Sequence, residues 1–163
     1  MIPIWTEANV TLTKIADHMI ASGISFTSQD EDRIRLHTEI GIAFSVVLDE
    51  DGKFIRLSTY FPLDPEQSLE KKRDLERLFN AEILLPSFSL DHEDDLNIVY
   101  VISYRFGLIP GQLMYLVKRF ESLLNYLVNT RNPDGLILLG KYRQRSDMPD
   151  LDDAPPPEKV LLN

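Results

Sequence analysis

Carboxylates and an imidazole crowd together in one stretch of this chain, Asp91-His92-Glu93-Asp94-Asp95. Hard cations such as calcium and magnesium favour oxygen ligands of this kind, so a metal-dependent enzyme centred on Asp91–Asp95 is the chemistry these residues could offer. The stretch lacks the alternating acids and central glycine of a calcium loop. A solvated connection between strands is therefore the expectation, and it extends to Gln29-Asp30-Glu31-Asp32 and Asp49-Glu50-Asp51-Gly52.

General acid–base catalysis needs a base oriented by a second group. The histidines His18, His37 and His92 are too far apart along the chain to suggest such a pair, and each is expected on a polar surface. No glycine-rich phosphate loop, nucleophile elbow or HExxH motif occurs. With no cysteine, the chain has no disulfide, thiolate nucleophile or cysteine-ligated metal. The expectation is a non-enzyme without cofactor, and no catalytic, cofactor-binding or metal residue is assigned.

Charge narrows the partners. A formal net charge of −9 over 163 residues opposes binding to polyphosphates, which depends on Lys and Arg displacing counterions. Nucleic acid and anionic membranes are not expected, whereas a protein segment is. Aromatic residues on predicted strands, including Phe44, Tyr60, Phe88 and Tyr100, are accordingly assigned to packing rather than base stacking. Trp5 is expected to dock the start of the chain onto the domain. The opening Met-Ile-Pro-Ile-Trp-Thr-Glu resembles no secretory signal, and no apolar run approaches the roughly 20 residues that span a bilayer, so a cytoplasmic location is expected.

The elements follow from periodicity. Leu12, Ile15, Ala16, Met19 and Ile20 mark a helix over residues 11–22, with Gly23 as its stop. Ile34 and Leu36 alternate in a strand over 33–38. Phe44, Val46 and Leu48 form another, and Ile55, Leu57, Thr59 and Phe61 the next, joined by an acidic turn in which Gly52 is expected to take the positive φ. Asp64-Pro65-Glu66-Gln67 reads as the start of a helix over 65–80 with Leu69, Leu75, Leu78 and Phe79 on its face. Strands follow over 87–90 and 97–106, the second apolar on both sides at 98–102 as in a central strand. A long helix from Pro110 carries Leu113, Leu116, Val117, Phe120, Leu123, Leu124 and Leu127 on one stripe. Leu136–Leu139 is expected to pack back on the domain.

Residues 1–145 are thus expected to form a single α+β domain, an antiparallel sheet with helices in the order α-β-β-β-α-β-β-α. Residues 146–163 change character, with Asp147, Asp150, Asp152 and Asp153 before Pro155-Pro156-Pro157. This acidic, proline-rich tail is expected to be extended or flexible, with Val160-Leu161-Leu162 able to dock in a groove.

The element order, the acid–glycine hairpin, the strand Ser87-Phe88-Ser89-Leu90 entering an acidic turn, and the helix from Pro110 with its Leu and Phe stripe together resemble the YbjN-type domain. That domain shares its fold with type III secretion chaperones of the Tir-chaperone class, and the resemblance covers roughly residues 8–130. It implies a small, acidic, bacterial, homodimeric protein-interaction module, chaperone-like or regulatory, that holds a partner segment at a sheet edge or hydrophobic groove.

Overall fold

The computed structural model describes residues 3–139; the expected domain boundary and the tail 146–163 lie outside them. Antiparallel strands β1 (Ser28–Gln29), β2 (Arg33–His37), β3 (Ala43–Asp49), β4 (Phe54–Phe61), β5 (Ser87–Leu90) and β6 (Leu96–Ser103) form one sheet in the order β1-β2-β3-β4-β6-β5. The helices are α1 (Leu12–Ala21), α2 (Leu69–Glu82) and α3 (Pro110–Thr130). The α+β antiparallel class expected from the sequence is observed, with the two-residue β1 added before the expected first strand.

One face of the sheet carries the core. Ile34, Leu36, Phe44, Val46, Leu48, Ile55, Leu57, Phe61, Leu96 and Ile98 alternate inward and are buried, as a period of two requires. The stripe of α3 covers them, with Phe120 against Phe44 at a ring-centroid distance of 5.6 Å. From α2, Phe79 packs edge-on to Phe88 of β5 at 5.3 Å. Trp5 docks as expected, pairing its backbone with Leu108 and its ring with His18.

Several local expectations are corrected. In the β3–β4 turn Lys53, not Gly52, takes the positive φ, +60°. A Cβ at Gly52 would lie 2.8 Å from Asp49 Oδ2 and 2.9 Å from the Phe54 ring, so those two side chains would have to shift to admit one. Helix α2 starts at Leu69, because the Asp64 carboxylate accepts from Glu66 N in a separate turn while Ser68 Oγ caps the helix by accepting from Lys71 N. Leu69 and Leu78, like Ile20 of α1, flank their helical stripes and are exposed. Strand β6 ends at Ser103, where Tyr104 N–H turns to donate to Lys53 O, leaving Phe106 in solvent. Strand β6 is interior as expected, between β4 and β5, but Val101 lies on the face opposite the helices and is 49% exposed.

The sheet edges are blunted. Strand β1 is two residues long, and the outer edge of β5 is occupied by Asn80, whose side chain donates to Phe88 O (2.8 Å) and accepts from Phe88 N (3.0 Å). Unpaired edges invite pairing with other chains, and here a side-chain amide takes that place. Asn132 clasps Ile137 in the same way, at 3.0 and 2.7 Å, and Ile137 bridges Leu63 at the end of β4. The 136–139 segment thus packs back as expected. Asn80→Ala should cost about 1–2 kcal/mol, the usual consequence of stranding partly buried hydrogen-bonding groups, and should raise self-association by opening β5. Urea denaturation and light scattering of the variant check both effects.

Candidate functional site

Two carboxylates of the acidic stretch between β5 and β6, Asp91 and Asp95, accept from backbone N–H groups. Asp91 Oδ1 accepts from Glu93 N and Asp95 N, each at 2.9 Å, and Asp94 sits at φ +61°. Asp95 Oδ1 accepts from Leu63 N at 2.7 Å, tying the loop to the end of β4. Carboxylates directed at N–H groups are holding a turn, and no three His, Cys, Asp or Glu side chains converge as a metal site among the described residues. The other acidic stretches are engaged likewise: Asp30 pairs with Arg35, Asp32 with Arg33, and Asp49 accepts from Gly52 N.

The histidines lie apart. His18 meets Trp5 edge-on, His37 Nδ1 is 2.7 Å from Thr27 Oγ1, and His92 stands exposed beside Glu93. This arrangement assembles no base with an orienting partner, and it favours neither acid–base nor metal chemistry.

A different feature is an open groove at the end of the helix layer. The C-terminal end of α2, the loop 83–86, Tyr100 of β6 and one flank of α3 enclose an open, mainly apolar groove of about 390 Å³. Leu116, Leu123 and Tyr126 from α3 form one wall, and Leu84 and Leu85 form the lip. Leu84 is 82% exposed and Leu85 58%, although burial of such side chains is worth about 1.5–3 kcal/mol each. Leu85 is held at φ +93°, a conformation that costs a β-carbon-bearing residue about 1–3 kcal/mol and concentrates at ligand clamps and switches. At one end Arg131 pairs with Glu82, and its guanidinium is held above its ordinary pKa by hydrogen bonds to Glu82 and Tyr126.

Sequence reasoning missed the lip. The available signal was Ile83-Leu84-Leu85 before Pro86, an apolar run belonging to neither a helical nor an alternating pattern. Leu116 and Leu123 were placed on the buried stripe, but both are only half-buried, at its margin facing the groove.

Comparisons with known proteins agree with this architecture. Residues 11–130 match the YbjN family model, described as "Putative bacterial sensory transduction regulator". Among solved structures, the fold is similar to "YbjN, a putative transcription regulator from E. coli", with a TM-score of 0.67 and 21% identity over 79% of this chain and 96% of that one. It is also similar to a chain of the HopA1–SchA chaperone–effector complex, with a TM-score of 0.51 and 13% identity over 71% and 88% of the two chains. No curated protein matches. Among the described residues no helix is long and apolar enough to cross a membrane.

Asp95 offers a direct test of the structural role of the acidic loop. Burial chiefly, and Asp91 and Glu93 in addition, raise its carboxyl above the ordinary 3.8, against the lowering effects of the Leu63 hydrogen bond and Lys72. The folded chain therefore holds this proton more tightly than the unfolded chain, and the contribution to stability falls as pH rises from the unfolded to the folded value. Asp95→Asn keeps an acceptor for Leu63 N–H and should abolish that acidic-range dependence while matching or slightly exceeding native stability at neutral pH. Asp95→Ala should lose about 1–3 kcal/mol by stranding the Leu63 donor. Urea midpoints measured against pH distinguish the two.

Proposed function

Because the chain belongs to the YbjN family, we propose that it is a non-enzymatic protein-interaction module, chaperone-like or regulatory, that holds an apolar segment of a partner protein in the groove between α2, β6 and α3. The observation that carries this proposal is the lip itself, where Leu84 and Leu85 are exposed and Leu85 keeps a costly backbone conformation. Contiguous exposed apolar surface of this kind marks interaction sites. The fold it shares with a member of a chaperone–effector complex supports the same proposal.

Of the two modes expected from the sequence, groove and sheet edge, the groove is favoured. Strand addition needs a run of unpaired N–H and C=O groups, and β5 already has Asn80 on its outer edge while β1 offers two residues. The net charge of −9 favours regulation through protein contact over direct contact with nucleic acid. A cytoplasmic setting belongs to the same proposal.

The test is photo-crosslinking from Ser122, on the groove wall, in the full-length chain within a bacterial host that carries its gene. A crosslink to one apolar partner segment is expected, and Leu84→Asp with Leu85→Asp should abolish it. Substitution at exposed Leu84 shifts stability by less than about 0.5 kcal/mol, and Asp is among the residues that tolerate a positive φ such as that of position 85, so the melting temperature should hold. A crosslink unaffected by the pair, or one formed to another copy of this chain alone, would overturn the proposal.

We also propose the homodimer expected from the sequence. With both edges blunted, its contact falls to the helix layer, where Tyr115 of α3 stands 62% exposed, rather than to the strands. Light scattering should give twice the chain mass at micromolar concentration, and Tyr115→Glu should halve it.

A further inference from the structure

Two charged side chains line the groove between α2, β6 and α3, Glu82 and Arg119. Glu82 is paired with Arg131. Arg119 is exposed and has neither an ion pair nor a hydrogen bond among the described residues. Ser122, also on the lining, donates its hydroxyl to Lys118 O at 3.0 Å. The uncommitted charge of the groove is therefore positive, although the chain as a whole carries −9.

The place of Arg119 on α3 brings this cation into any apolar contact made there. It follows Leu116 by three residues and precedes Leu123 by four, and residues so spaced are neighbours on one helical face. All three line the groove. An apolar segment lying against both leucines crosses Arg119 and takes water from its guanidinium. Removing a charge from water without giving it a partner is costly, and a guanidinium presents five donors in a planar fork that matches a carboxylate.

On the premise that the groove seats a segment of a partner protein, we propose that Arg119 determines its specificity, and that the segment carries an aspartate or glutamate set among its apolar side chains. The long-range field of the chain draws basic segments, but that field decays over about 8 Å at physiological ionic strength. At contact the nearest groups decide. A lysine or arginine at the same place would face Arg119, and Glu82 could answer it only by giving up Arg131.

Random peptides displayed on phage are selected in parallel on the full-length chain and on its Arg119→Glu variant, with Leu84→Asp plus Leu85→Asp as the control for groove binding. Arg119 is exposed, so its replacement leaves the fold intact. Peptides that the lip variant fails to hold should be apolar and enriched in Asp or Glu when selected on the native chain, and enriched in Lys or Arg in place of the acid when selected on Arg119→Glu. In a peptide selected on the native chain, replacing the acid by its amide should weaken binding about fivefold, as for a favourable ion pair at a partly exposed site, and should change nothing on Arg119→Gln. The remaining charge of the chain is common to both, so the comparison isolates the pair. Lip-dependent peptides without acidic enrichment, or an acid whose amide binds the native chain and Arg119→Gln with the same loss, would overturn the role of Arg119 and leave the groove as a seat for apolar segments. Selection of no lip-dependent peptide would overturn both.

Discussion

The architecture depends on a sheet with one covered face. A six-stranded sheet with helices on a single side must concentrate its apolar side chains on that side, and the strict alternation along β4, from Ile55 through Leu57 and Thr59 to Phe61, does so. The stripe of α3 meets that surface and seats Phe120 on Phe44. Burial of such aromatic and aliphatic groups is the main favourable contribution to folding. The remaining features are consequences of closing the margins of this layer.

Closure is achieved largely by side-chain amides. Asn80 and Asn132 each hold the N–H and C=O of one residue, Phe88 and Ile137, and so end pairing where another strand could have joined. An amide is suited to this because it carries donor and acceptor in one plane. With the edges blunted, exposed apolar surface gathers at the seam where α2 runs out. There the chain must pass from a helix to an edge strand within a few residues, and Leu84 and Leu85 are left outside the core.

Charge is distributed by the same logic. Asp91 and Asp95 hold a turn and fasten it to Leu63. Asp30 and Asp32 sit at the rim beside Arg35 and Arg33. Several acids thus serve loops locally, while others stand beside the arginines on the sheet face opposite the helices. The net figure describes solubility and long-range attraction and conceals this division.

Much of the fold was legible in the sequence because it is written in local periodicity. The stripes of α1 and α3, the alternation of β2 to β4, the strand Ser87–Leu90 and the absence of any phosphate loop or nucleophile elbow are read within windows of a few residues, and so is the family likeness that rests on their order. What tertiary structure decided involves residues distant in sequence. The apolar run 98–102 marked β6 as an interior strand, which it is, but left open which of its faces the helices meet, because periodicity records which residues are apolar and not what covers them. The groove joins residues 82–86 to Tyr100 and to the flank of α3, and Arg33 and Arg56 become neighbours across β3 only when the strands pair in register. Such juxtapositions leave no local mark, since each depends on contacts that form only when the chain folds back on itself.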